Sequence, residues 1–299
     1  MAAATPPASQ GWFAAPAPIR TLFKSFPLRT YAAEELPARA PSLAQSLPRL
    51  YVFCETDEDA ERGRPSCNPS CLKWQTILRI ANIDVLLVPS SNHASPSGAL
   101  PFLLPAATQT TPTSTPASQH PLSGNKIARF IRETNPQAQI DLDNPSSKID
   151  AYQALLANNV RPAWLQTLYL NPTNDPVLTA LYLPSSPLLR PAARHTLHAA
   201  ATTEILKTTR RTNSGVDTEQ ILEDARAGFA ALSALLGEDE WFFGAKGPGL
   251  LDADVFAYTH LLLGGGIKWR DTTLGECLVE FANLVEHERR LYFLGWGKE

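Results

Sequence analysis

Apolar residues are grouped along this chain in two different ways. In the first third they form short runs, Leu50-Tyr51-Val52-Phe53-Cys54, Asp84-Val85-Leu86-Leu87-Val88 and Phe102-Leu103-Leu104, each bounded by charged or turn residues as strands are. Between the first two runs, Asn68 followed by Pro69 supplies an N-cap and a proline at N1. Trp74, Ile77, Leu78 and Ala81 then recur at the i, i+3, i+4, i+7 spacing, which predicts a helix with one core face. Residues 55–64 read as a charged loop. After Ser123-Gly124-Asn125 the pattern turns helical: Ile127, Phe130 and Ile131 mark a helix, and further helices are predicted over 148–158, 163–171, 192–211, 218–236, 252–263 and 274–292. Asp217 with Gln220 three residues on predicts a capping box, Gly237 a stop, and Gly249 with Asp252 a second N-terminus of the same kind.

Proline divides the chain further. Eight of its 26 prolines fall within residues 1–48, separated by alanine and serine, so no regular helix or sheet forms there without repeated breaks. This stretch reads as an arm, with Trp12, Phe13, Phe23 and Phe26 as apolar anchors onto a partner or onto its own domain. Arg20, Lys24 and Arg29 precede the first acid, Glu34, as in an organelle presequence, but the prolines prevent the amphipathic helix such signals need. Residues 106–121 are almost all Ala, Thr, Ser, Gln and Pro, a low-complexity insertion. The expected organisation is an arm over 1–48, an α/β domain over 49–136 carrying the insertion 106–121, and an all-helical domain over 145–299.

Composition narrows the function classes. With 26 basic and 29 acidic residues the net charge is -3, which argues against a general nucleic-acid binder. Four cysteines in 299 residues do not make a secreted disulfide framework, and a reducing compartment is expected. The apolar stretch 255–267 is broken by Tyr258, Thr259, His260 and three glycines, too short and too polar to span a bilayer, so any membrane contact is expected to be peripheral.

Three sets of residues bear on chemistry. Cys67 and Cys71 lie at the start of the first long helix, where a helix dipole can stabilise a thiolate, but their spacing is not that of a Cys-x-x-Cys oxidoreductase, and ordinary cysteines beside a cap are the plainer reading. His195 and His198 are three apart on a helix with no third ligand near them in sequence, so no metal is expected. That helix also carries Arg190, Arg194, Lys207, Arg210 and Arg211, a basic stripe suited to anionic lipid or an acidic partner, or simply solvated. His93, in the polar loop 91–98, is assigned a loop hydrogen bond.

The order strand, helix, strand, proline loop, strand, helix and then a helical domain resembles the glutathione-transferase architecture, α/β plus all-α, with a thioredoxin-like domain first. The resemblance places Pro101, after Leu100, at that fold's cis-proline. In such a transferase a hydroxyl or thiol near the first helix activates glutathione, and an acid-serine pair before the helix that follows the sheet holds its γ-glutamyl end; here Ser123-Gly124 stands in that register. More narrowly, Cys71-Leu72-Lys73-Trp74-Gln75, the loop Ser91-Asn92-His93-Ala94-Ser95-Pro96-Ser97-Gly98 with Leu100-Pro101-Phe102-Leu103-Leu104-Pro105, and Leu251-Asp252-Ala253 resemble the metaxins, most of all the fungal metaxin-like receptor subunits of the mitochondrial sorting and assembly machinery. The resemblance spans residues 49–292. It implies a non-enzymatic protein without cofactor, peripheral on the cytosolic face of the mitochondrial outer membrane. Its partners would be the barrel-forming insertase subunit, a second metaxin-like subunit and β-barrel precursors, whose β-signal it would receive. Asn92, His93, Ser95, Ser97, Gly98, Arg190 and Arg194 are the candidate contact residues. Recognition by strand addition to a sheet edge and stabilisation of the barrel's open edge are two physical routes. Asp254 departs from expectation, a second carboxylate in a helical turn expected to be apolar. The competing readings are a divergent, thiol-dependent glutathione transferase using Cys67 or Cys71, and a module binding acidic peptides through the basic stripe.

Overall fold

The computed structural model describes residues 47–106, 120–138, 147–208 and 215–297. The arm therefore lies almost wholly outside the described residues, as does most of the low-complexity insertion.

The sheet forms around β1 (Arg49–Val52), whose Leu50 and Val52 are fully buried while Arg49 and Tyr51 face the other side. It pairs in parallel with β2 (Leu86–Pro89), from Arg49↔Leu86 to Val52↔Pro89, and antiparallel with β3 (Phe102–Leu104), from Arg49↔Leu104 to Tyr51↔Phe102. On its outer side β3 receives Leu122 in a single antiparallel bridge, so the chain beyond the insertion returns to the sheet for one residue. Periodicity cannot reveal a strand that short. β2 begins two residues later than the apolar run suggests, because Asn82 at φ +53 and the Ile83 N–H bond to the Leu78 carbonyl still belong to the helix exit.

Two helices lie between β1 and β2. α1 (Asp57–Glu61) occupies part of the expected charged loop. Thr56 caps it, and three acids in its first turn suit the positive end of the helix. α2 (Pro69–Ile80) matches its prediction: Asn68 Oδ1 accepts from the Ser70 and Cys71 amides, and Trp74, Ile77, Leu78 and Ala81 are buried with the sheet and with α3 (Asn125–Thr134). Leu72 faces the opposite way, into the core of the helical half.

That half opens with α4 (Ser147–Leu155), a π-helical turn (Leu156–Val160), α5 (Arg161–Leu165) and a second π-helical turn (Gln166–Leu170) in one continuous rod. Two separate helices were expected on either side of Pro162. The widened turns instead absorb the missing donor and the ring of Pro162 without a break. α6 (Asp175–Tyr182) was not anticipated; a 3₁₀ turn with Pro172 leads into it. α7 (Arg190–Thr208) and α8 (Thr218–Leu236) follow, with Asp217 Oδ1 accepting from the Gln220 amide as expected, while Gln220 sends its own Nε2 to Asp224. Gly228 lets α8 close on the first π-helical turn, since a Cβ there would stand 3.1 Å from that of Asn159. α9 (Leu250–Leu262) is the central helix, buried on nearly every side. The single helix expected over 274–292 is two, α10 (Thr273–Val279) and α11 (Ala282–Trp296), parted at Phe281, which adopts φ -104, ψ 82 and packs on the α8 residue Phe229. The architecture is the expected one, a small three-stranded α/β domain followed by a helical domain. No helix among the described residues is long and apolar enough to cross a membrane.

Candidate functional site

In this topology the chemistry-bearing positions are the start of α2, the loop before β3 and the start of α3. At the start of α2, Asn68 occupies the free amides of the first turn, and its Nδ2 donates to the Tyr182 hydroxyl at 3.2 Å. Phe53 packs edge-on against Tyr182, and Tyr169 lies beside it. Cys67 and Cys71 are buried here, and burial pushes both thiols up to about 12; Cys54 rises to about 11 for the same reason. Burial also raises the hydroxyls of Tyr169, to about 12, and of Tyr182. No group in this cluster is poised to ionise near neutral pH, and the dipole that would help a thiolate is already taken by the cap.

The loop before β3 is a clasp. Asn92 Oδ1 accepts from the Leu100 amide at 3.0 Å, and the Ser95 hydroxyl donates to the Ala99 carbonyl at 2.6 Å. Ser97 Oγ donates to the same carbonyl at 3.2 Å, and its amide donates to Ser95 Oγ at 3.4 Å. Gly98 turns at φ +76, with its amide on the Ser95 carbonyl. Together these bonds hold the strand entrance, where the Leu100–Pro101 bond is cis as expected. Asn92, Ser95, Ser97 and Gly98 thus shape the loop from within, although all except Ser95 are exposed. His93 is exposed at the tip and makes no hydrogen bond among the described residues, contrary to the bond assigned to it. At α3 the N-cap is Gly124, which offers no side chain, and Ser123 stands where the resemblance calls for a carboxylate. Cys67 and Cys71 are thus buried at the start of α2, and Ser123-Gly124 at the start of α3 offers a hydroxyl without a carboxylate.

Arg190 and Arg194, placed together on α7 by the sequence, are both engaged at home. Arg190 wraps back onto the Pro184 and Ser185 carbonyls at 3.0 and 3.2 Å. Arg194 pairs with Asp175 of α6 at 2.7 Å and reaches Thr179. Arg210 and Arg211 lie outside the described residues.

Asp254, anomalous in the sequence, ties the domains together. Its Oδ2 accepts from Lys73 Nζ of α2 at 2.7 Å and from Gln153 Nε2 of α4 at 2.8 Å, in a cleft of about 350 Å³ with Trp74, Arg161 and Tyr258 on its walls. Lys73 also lies 5.5 Å from the Trp74 ring centroid. Only contact across the domain boundary explains this carboxylate, and no local spacing signals it.

A family model of the glutathione S-transferase N-terminal domain matches residues 69–174, and one of the glutathione S-transferase C-terminal domain matches residues 225–291. The fold is glutathione-transferase-like. Among solved structures, a glutathione S-transferase of Ceriporiopsis subvermispora in complex with glutathione is 16% identical, covering 80% of this chain and 98% of that one at a TM-score of 0.49. Glutathione transferase GSTFuA3 of Phanerochaete chrysosporium is 13% identical, covering 80% and 97% at 0.49. A glutathione transferase family member of Pseudomonas fluorescens pf-5 with two glutathiones bound is 14% identical, covering 86% and 91% at 0.48. No curated protein matches the sequence.

Proposed function

We propose that this chain is a non-enzymatic, peripheral subunit of the sorting and assembly machinery on the cytosolic face of the mitochondrial outer membrane, a receptor and adaptor for the β-signal of β-barrel precursors. In this reading it works beside the barrel-forming insertase subunit and a second metaxin-like subunit. The observation that carries the proposal is the start of α2, where the cap is filled by Asn68 and burial lifts the Cys67 and Cys71 thiols to about 12. Thiols raised this far by burial are poor nucleophiles at neutral pH, which weighs against Cys67 or Cys71 as a reacting group. The exposed clasp loop 91–98, which carries the most specific part of the metaxin resemblance, is then free to serve as a contact surface.

The sheet edges bear on how a partner is met. β2 ends in Pro89 and packs against α1, while the outer side of β3 offers Pro101 and Pro105, which lack N–H groups, around a Leu103 already bonded to Leu122. A row of free donors and acceptors is what strand addition needs, and proline and a covering helix are the means by which edges are blunted. These features favour contact through side chains and loop surfaces over strand addition. Tagged protein purified from gently solubilised mitochondria should bring down a membrane barrel and a second metaxin-like chain in stoichiometric amounts by mass spectrometry, and should itself be released by carbonate. Recovery as a soluble monomer or homodimer would overturn the proposal. Retention on immobilised glutathione that disappears in Cys67→Ser/Cys71→Ser would instead support the transferase.

A further inference from the structure

The most exposed large apolar residue among the described residues is Leu188, at 90%, and its neighbour Leu189 follows at 59%. A single leucine on a surface is ordinary, but these two stand together at the tip of the segment that joins α6 to α7. The segment is held in place. Pro187 takes the second position of a tight turn that the Leu189 amide closes on the Ser186 carbonyl at 3.2 Å. The Leu189 carbonyl accepts from the Ala193 amide at 3.1 Å, so α7 starts directly from the tip. The Arg190 guanidinium donates to the Pro184 and Ser185 carbonyls at 3.0 and 3.2 Å and draws the loop back onto the start of that helix. A tip clamped in this way keeps both leucines in water, and it is already ordered for a contact that removes them from it.

What surrounds the tip carries no free negative charge. No acid stands between Asp175 and Glu204 in the sequence, and an arginine lies against each of those two, Arg194 at 2.7 Å from Asp175 and Arg161 at 3.7 Å from Glu204. α7 packs on α5 and on the second π-helical turn, and residues 161–170 contain no acid either. Arg190 bonds to uncharged carbonyls, so its positive charge is not cancelled. Beyond the tip α7 exposes small uncharged residues, Ala192, Thr196, Ala199 and Ala200, with His195 among them.

We propose that Pro187, Leu188 and Leu189 form a tip that enters the interfacial layer of a lipid bilayer, with Arg190 at the level of anionic headgroups. Size and charge favour lipid over protein. A specific protein interface buries about 800 Å² on each partner, far more than two leucines and a proline offer, whereas a bilayer interface takes up a few apolar side chains and repels free carboxylates from its anionic surface. Two side chains anchor weakly and reversibly, so the contact is peripheral. The inference deepens the peripheral reading above, on which it rests for the choice of a membrane, by naming the surface that meets the bilayer.

Co-sedimentation of the full chain with sucrose-loaded vesicles of phosphatidylcholine and phosphatidylserine, titrated to millimolar lipid, tests it without any protein partner. The native chain should partition onto the vesicles, and Leu188→Ser/Leu189→Ser should lower the partition coefficient at least about tenfold. Leu188→Trp should raise it about threefold, a gain that loss of folding cannot produce. Val279→Ser, which removes an apolar side chain of α10 that is also 59% exposed, should leave it unchanged. Vesicles of phosphatidylcholine alone should bind about fivefold more weakly, for want of a partner to the one uncancelled charge. No partition of the native chain at millimolar lipid, or equal partition of the serine pair, would overturn the proposal, and continued co-purification of a membrane barrel would then leave the adaptor reading standing. Loss of the barrel without loss of vesicle binding in the serine pair would overturn it in favour of a protein contact.

Discussion

Asp252 ties three parts of the helical domain together. Oδ2 accepts from the Gly249 amide at 2.8 Å and closes the start of α9, while Oδ1 accepts from the Phe242 amide at 3.1 Å and from His287 Nε2 at 2.8 Å. Both Asp252 and His287 are buried, so Asp252→Ala strands three buried donors in one step. The expected cost is about 3–5 kcal/mol by urea unfolding, with Asp252→Asn intermediate because one acceptor oxygen survives. The N-terminal half of this arrangement is legible in the sequence, where Gly249 and Asp252 stand three apart. The other half is not, because His287 lies on a different helix. The buried thiols give a second residue-scale expectation. Cys67 and Cys71 sit at about 12 in the folded protein against an ordinary value of 9.0, so below pH 9 both states keep these protons and they add no pH dependence. Above pH 9 the unfolded chain releases protons that the folded chain retains, so stability falls as pH rises toward 12. The interval from pH 9 to 10 precedes titration of the buried tyrosines, whose ordinary value is 10.0. The urea midpoint should decline across that interval in the native protein and less steeply in Cys67→Ser/Cys71→Ser, where the raised thiols of Cys54 and Cys277 remain.

Among the elements, those with local punctuation stand where the sequence puts them. α2 begins at Asn68-Pro69 and α8 runs from its Asp217 cap to Gly237, because caps act within a single turn. The rod through Pro162 and the break at Phe281 go the other way. A proline usually ends a helix and an apolar run usually continues one, but packing of the rod against α8 and of Phe281 on Phe229 reverses both tendencies. The Leu122 bridge was out of reach for a different reason, since one residue has no period. The cap of α2 is where an element-scale measurement is most informative. Asn68→Ala removes the acceptor for two first-turn amides and the bond to the Tyr182 hydroxyl, with an expected loss of about 1–2 kcal/mol. Asn68→Asp keeps the acceptor and should recover most of the cap, and comparing the two in urea separates the cap from the tyrosine contact.

Across the whole molecule, the two domains share their cores. Leu72 of α2, an element of the first domain, belongs to the cluster around Trp164, Phe229 and Phe256, while Ala253 of α9 belongs to the cluster of Leu50, Ile77 and Ile131. Arg79 adds a bond to the Gly295 carbonyl and lies over the Trp296 ring at 5.0 Å, and Trp296 Nε1 donates to the Gly63 carbonyl at 2.9 Å. The change from strand runs to helical periodicity made the two domains legible in the sequence. Their interpenetration was not, because Leu72 falls off the stripe of Trp74 and Ile77 and reads locally as a stray apolar residue. A boundary crossed by core side chains does not yield independently folding halves. Thermal unfolding should therefore be one transition by calorimetry, with domain-specific probes in register. Leu72→Ala, which empties a fully buried site across the boundary, should lower the stability of the whole by about 2–5 kcal/mol without splitting that transition. Asp254→Asn, which weakens the Lys73 pair and the Gln153 bond at the cleft, should shift the midpoint less and also leave a single step. Two resolved transitions in either variant would mean that the polar and apolar ties across the boundary are dispensable to folding, and the receptor reading would then have to treat the domains as separately movable surfaces.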